Sequence, residues 1–191
     1  MKENKKLYKV LKAICKILFK ILYRPKVEGI ENIPKEGGII LVGNHKHAFD
    51  APLVMINTDR IVHYMAKESL FKGIQGKLLE NIGMIKVYRT KSNPRAVTEA
   101  IDILKNGGVI GIFPEGTRNK TKEELLKFRH GAVAIAKQAD VPIIPFAIKG
   151  EYKILRKGLS IEFGNPVKIE NLETEEANNH IKNEVLQLLR K

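Results

Sequence analysis

The chain has no tryptophan, one cysteine and no apolar run approaching the ~18–20 residues that cross a bilayer. A lone Cys15 excludes an internal disulfide and fits a reducing compartment. Without a long apolar run, no transmembrane helix is expected. A signal peptide is not expected either: the first apolar residues are interrupted by lysine every third or fourth position, and no small-residue cleavage site follows. Acidic residues are scarce over residues 1–26, where Glu3 stands against nine Lys/Arg, so this stretch carries +8 of the formal +13. Such a cluster implies a polyanionic surface, nucleic acid or anionic lipid. The charge sits on one amphipathic stretch, and no recognised nucleic-acid motif is present. An anionic membrane surface is therefore the expected partner, and nucleic acid is not.

What is present is an ordinary globular composition, 43% hydrophobic and 29% charged over 191 residues, enough for one domain with a real core. Leu7, Val10, Leu11, Ile14, Ile17, Leu18, Ile21 and Leu22 recur at helical spacing, with Lys5, Lys9, Lys12, Lys16 and Lys20 on the other faces and Pro25 ending the pattern. A helix packed on its own domain would give this pattern. So would a helix lying in a membrane interface, and the lack of acid on the polar face favours the interface. Residues 1–26 are thus read as a basic amphipathic membrane-interface helix and residues 27–191 as a separate folded domain. In that domain, strands are expected at 39–42, 61–65, 83–89, 109–113, 141–148 and 159–163, with irregular pairing around Pro142 and Pro145. Helices are expected at 51–56 with Asp50 as N-cap, at 67–80 broken by Gly73 and Gly76, and at 94–105. A further helix is expected from a capping box at Thr121–Glu124 to about Ala139, and a polar one over 173–190. Strands alternating with helices predict an α/β domain with a mostly parallel or mixed sheet flanked by helices, preceded by the N-terminal helix. No internal repeat is apparent.

Two segments about seventy residues apart carry the chemistry, Asn44–Asp50 and Phe113–Arg118. Both follow expected strands, on the side where open α/β sheets bind ligands. His45 with Asp50 five positions on has the parts of a general base and its orienter. No serine or cysteine completes a protein nucleophile, so the pair would activate a substrate hydroxyl. A capping Asp beside a surface His is the alternative. His45, His47 and Asp50 also allow a zinc reading. However, Asp50 is three positions after His47, no histidine follows, and His63, His130 and His180 are not in ligand spacing. No metal is expected. In Glu115-Gly116-Thr117-Arg118, Gly116 lets backbone approach a ligand and Arg118 offers a fork for phosphate. Glu115 and Arg118 pairing with each other is the alternative.

These segments resemble the first and third motifs of the glycerolipid acyltransferases of the lysophosphatidate acyltransferase type. Ala66-Lys67-Glu68-Ser69-Leu70-Phe71 resembles the lysine-containing segment after the first motif, and Gly83–Arg89 the second motif. Phe128–Ala132 resembles the Phe-Lys-x-Gly-Ala segment, and Val141–Pro145 the fourth, apolar motif. The resemblance covers about residues 27–170, with the motifs in family order. It implies His45 as base and Asp50 as its holder. Glu115, Gly116, Thr117 and Arg118 would line the acceptor site, with Arg118 on the phosphate and Arg89 and Lys67 as further cationic contacts. Val141, Pro142, Ile143, Ile144 and Pro145 would line the acyl-chain site. It also implies transfer of an acyl chain from acyl-CoA or acyl carrier protein to 1-acylglycerol 3-phosphate, giving phosphatidate in phospholipid biosynthesis. No cofactor is implied, and the expected location is the cytoplasmic face of the membrane. Another lysolipid or glycerol 3-phosphate is the alternative acceptor. The family often has Ser or Thr where this chain has His47, so only mutagenesis separates base from bystander.

Overall fold

The computed structural model describes residues 3–88 and 93–191. In chain order these form α1 (Lys5–Leu22), β1 (Lys26–Glu28), β2 (Ile39–Gly43), α2 (Asp50–Ile56), β3 (Val62–Lys67) and α3 (Gly73–Asn81). There follow β4 (Ile85–Val87), α4 (Pro94–Lys105), β5 (Val109–Ile112), α5 (Gly131–Ala139), β6 (Ile143–Lys149), β7 (Ser160–Phe163) and α6 (Thr174–Arg190). The strands make one seven-stranded sheet in the order β1-β7-β6-β2-β5-β3-β4. Strands β2 to β6 run parallel; β7 is antiparallel to β6, and β1 pairs parallel with β7.

The central strand β2 is buried at every position, as a strand covered on both faces must be. Its period of two divides the core. Ile39 and Leu41 pack with α1 and α2, whereas Ile40 and Val42 pack with α4, α5 and α6. The result is a three-layer α/β domain. The register Ile39↔Val109 to Val42↔Ile112 sends the chain out of β2 and β5 side by side, so both motif segments leave the sheet at one edge.

Several expectations are corrected. The strand β1 is unanticipated because Val27 is its only apolar residue; pairing with β7, not local pattern, creates it. Asp50 is the first residue of α2 rather than its cap, and its side chain turns back to the preceding loop. Thr121–Glu124 caps no helix. There the Thr121 hydroxyl donates to Asn119, in a loop whose polar groups bond one another, and α5 begins only at Gly131. Gly76 does not break α3; a Cβ there would stand 2.2 Å from the Phe71 carbonyl carbon, so glycine lets the helix close on the chain before it. The expected irregularity in β6 is found: antiparallel pairing with β7 begins only at Phe146, after Pro145, and Ile143 bridges Val167 instead.

The helix α1 packs on the domain, but not through its leucine and isoleucine stripe. Tyr8 and Phe19 are buried, Cys15 and Leu22 pack beside them, and the Lys12 ammonium donates to the Thr58 carbonyl. The Tyr8 hydroxyl accepts from the Val62 N–H at 2.9 Å. Val10, Ile14, Ile17, Leu18 and Ile21 face outward, each between 48% and 60% exposed. At 100° per residue, Lys5, Lys9, Lys16 and Lys20 fall between the two faces. Among the described residues, no helix is long and apolar enough to cross a membrane.

Candidate active site

The turn after β2 is built around one carboxylate. Asp50 is fully buried. Its Oδ2 accepts from the backbone N–H groups of Lys46 and His47, both at 2.7 Å, and lies 2.9 Å from His45 Nδ1. Its Oδ1 accepts from the Tyr152 hydroxyl at 2.7 Å. Every backbone and tyrosine partner is a donor, so the acceptor-only carboxylate fits the site and assigns the proton of a neutral His45 to Nδ1. The Nε2 lone pair is thereby left to the open side. The five-residue spacing works because the chain reverses between β2 and α2.

The imidazole is held from its face as well. It stacks on Phe113, with centroids 4.2 Å apart and planes 17° apart, and Phe113 stacks in turn on Tyr64 at 5.8 Å. The His45 side chain is 21% exposed, enough to meet a substrate while its orientation is fixed.

The segment after β5 fixes the backbone of His45. Glu115 Oε1 accepts from His45 N at 2.8 Å and Oε2 from Leu126 N at 2.9 Å, while Asn119 N donates to the His45 carbonyl at 2.6 Å. Burial pushes the Glu115 carboxyl up from its ordinary range, against the opposing pull of these two N–H donors. Glu115 therefore does not pair with Arg118; it joins the two motif loops. Gly116 has φ +68, and a Cβ there would lie 2.8 Å from Arg129 Nε, so glycine both makes the turn and admits the guanidinium. Thr117 and Arg118 are exposed at the tip of the turn, and Arg118 has no ion pair among the described residues.

The remaining expected residues are Lys67, Arg89 and Val141–Pro145. Lys67 is exposed at the carboxyl end of β3, two strands from β2 or roughly 10 Å by strand spacing. Arg89 lies outside the described residues. Val141 and Pro142 are half-buried ahead of β6, and Ile143, Ile144 and Pro145 pair with Ile40, Leu41 and Val42, with Ile143 and Ile144 wholly buried in the core. Tyr152 is the site residue that sequence reasoning missed. It sits 102 positions from Asp50, and no local pattern marks it. Asn44 opens the first motif; its amide bonds both backbone groups of Ile148, at 2.9 and 2.7 Å, and extends the β2–β6 pairing to the edge of the site. No group of three or more side chains suited to a metal occurs among the described residues.

The comparisons fall on this geometry. The family model described as Acyltransferase matches residues 24–149. The chain belongs to the acyltransferase family. A relative from Bacillus subtilis (strain 168), a 1-acyl-sn-glycerol-3-phosphate acyltransferase, is 30% identical over 167 residues, covering 84% of this chain and 82% of the relative. One of the same description from Borreliella burgdorferi is 34% identical over 147 residues, covering 75% of this chain and 58% of that one. The crystal structure of the 1-acyl-sn-glycerophosphate acyltransferase of Thermotoga maritima superposes with a TM-score of 0.77 at 26% identity, covering 98% of this chain and 82% of that one. The matched range of this acyltransferase includes His45, Asp50, Glu115 and Arg118.

Proposed function

We propose that the enzyme transfers an acyl chain from a thioester, acyl-CoA or acyl carrier protein, to the 2-hydroxyl of 1-acylglycerol 3-phosphate. The observation that carries this reading is the Asp50–His45 pair at 2.9 Å, with Nε2 open beside the turn that bears Arg118. Relatives described as 1-acyl-sn-glycerol-3-phosphate acyltransferases support the acceptor. In the reaction, His45 Nε2 takes the hydroxyl proton as the oxygen attacks the thioester carbonyl. The tetrahedral intermediate collapses, the C–S bond breaks, and the proton passes to the departing thiolate, leaving an ester and a free thiol. Buried Asp50 steadies the imidazolium between the two transfers. A thiolate leaves without Lewis-acid help, so this route needs no cofactor. Arg118 receives the acceptor phosphate, with Lys67 and Arg89 as further cations. The acceptor and product are amphiphiles, so the enzyme works at the cytoplasmic face of an anionic membrane, held by the outward apolar face and lysines of α1.

The test is thiol release from acyl-CoAs and acyl carrier protein with 1-acylglycerol 3-phosphate as acceptor. Release should require the acceptor, fall by roughly 10³-fold in His45→Ala and persist in His47→Ala. Release that survives His45→Ala and fails in His47→Ala would exchange their roles. Failure with both donors and every lysolipid acceptor would remove the assignment.

A further inference from the structure

Two apolar features remain outside the chemistry, the outer face of α1 and the tip of the 150–159 segment joining β6 to β7, and they meet. The Leu155 N–H donates to the carbonyl of Leu22, the last residue of α1, at 2.6 Å. Ile154 and Leu155 are 60% and 68% exposed, and the adjoining turns of α1 expose Ile17 and Ile21 at 60% and 54%. Leu155 holds φ +58, a conformation unfavourable for a leucine, and little burial within the chain offsets that cost. Phe49 extends the same patch. It is 41% exposed, and its ring lies 6.0 Å from Phe19, 6.1 Å from Tyr23 and 6.0 Å from Tyr152. Lys20, Arg24, Lys153, Arg156 and Lys157 are exposed on the same two segments, and Lys153 pairs at 2.6 Å with Glu151, the one acid of the loop.

We infer that the β6–β7 loop is a second lipid contact, which inserts Ile154 and Leu155 into the headgroup boundary of an anionic leaflet beside α1. The occupant follows from the pattern: an apolar centre with cations on the same segments matches a surface with anionic headgroups over an acyl interior. Continuity with α1 places both contacts on one leaflet. The same loop carries Tyr152, whose hydroxyl bonds Asp50 and whose ring stacks on His47 at 4.7 Å. The footprint therefore ends at the catalytic turn, and an acceptor leaving the leaflet passes Phe49 to reach His45. This inference rests on the membrane reading of α1 given above and adds a specific second element to it.

The absence of tryptophan supplies the test. Full-length Ile154→Trp and Ile17→Trp proteins are mixed with phosphatidylglycerol–phosphatidylcholine vesicles and their emission is recorded. A blue shift of both reporters, with quenching by brominated acyl chains, is the expected result. A shift at position 17 with none at 154 overturns the loop contact while the role of α1 stands. No shift at either position, with no co-sedimentation, overturns both while leaving acyl transfer to the thiol-release assay. An Ile154→Asp/Leu155→Asp protein with an unchanged unfolding midpoint should partition to these vesicles on the order of tenfold more weakly. Unchanged partitioning, with the same substitutions splitting a dimer into monomers, would assign the patch to a second copy of the chain and overturn the proposal.

Discussion

The two loops that leave β2 and β5 side by side are built on opposite terms. In the first, Asp50 is buried and fills its acceptor positions with donors from Lys46, His47, His45 and Tyr152. In the second, Glu115 is used up in the same way, but three residues later Arg118 stands exposed with no ion pair among the described residues. The difference separates two needs. A base must be oriented before the substrate arrives, because only a preorganised group stabilises the transition state without reordering. A group that recognises a charged ligand must keep its hydrogen-bonding capacity for that ligand. Saturated polar groups accordingly lie within the turns and the unsatisfied cation lies at their tip.

The sharpest way to break this contrast is Asp50→Asn. With its NH₂ at the Oδ2 position the amide faces the Lys46 and His47 N–H groups, and with it at the Oδ1 position it donates to the Tyr152 hydroxyl; in both cases the charge that steadies the imidazolium is gone, so kcat should fall by roughly 10²–10⁴-fold. Stability should drop by about 1–3 kcal/mol, read by urea unfolding. An unaltered kcat would mean that the turn does not depend on its carboxylate. Arg118→Ala should act in the opposite manner, raising KM for lysophosphatidate on the order of ten- to a hundredfold while leaving the melting temperature unchanged. With an acceptor lacking phosphate the variant and the parent should run alike; a penalty there as large as with phosphate would sink the assigned role. Tyr152→Phe keeps the ring and removes one donor from Asp50, so kcat should fall about three- to tenfold with KM held. A rise in KM alone would place Tyr152 in binding instead.

The smallest effect at neutral pH concerns α1. Burial pushes the Tyr8 hydroxyl up to about 12, and the Val62 N–H bond only partly opposes it. The folded value lies above the ~10 of an unfolded tyrosine, so this contribution is complete below pH ~10 and is lost as pH rises toward 12. Unfolding titrations should show an alkaline loss of about 2–3 kcal/mol over that window. Tyr8→Phe should remove that share of the slope and leave the shares of Tyr64 and Tyr152, whose hydroxyls burial also pushes up, and an identical slope in both proteins would mean that α1 does not dock through this residue.

Much of this was legible locally. β2 and β5 are short apolar runs bounded by glycine, and α4 carries proline at its start with Asn106-Gly107-Gly108 at its end, where the Gly107 and Gly108 N–H groups close a Schellman cap on Leu104 and Ile103. His45 with Asp50, and the turn at Gly116, were marked by spacing and residue type. Illegible were features made by partners far along the chain. β1 needs the edge of β7, and Glu115 reveals its two-loop role only when His45 and Leu126 are both present. The inward face of α1 was missed because Tyr8, Lys12 and Phe19 look less hydrophobic as a set than the isoleucine stripe that stays outside.

By itself the sequence determined the three-layer α/β plan, the position of both motif turns after strands, and the candidate base with its orienter. These follow from periodicity and from side-chain chemistry a few residues apart. Tertiary structure alone decided that Tyr152 closes the hydrogen bonds of Asp50 and that Glu115 serves His45 rather than Arg118. It also decided that the fourth motif lies in the core and that α1 turns its most apolar face outward. Each of those depends on which distant groups the sheet register brings within hydrogen-bond or packing distance, and a short-range pattern holds no record of that.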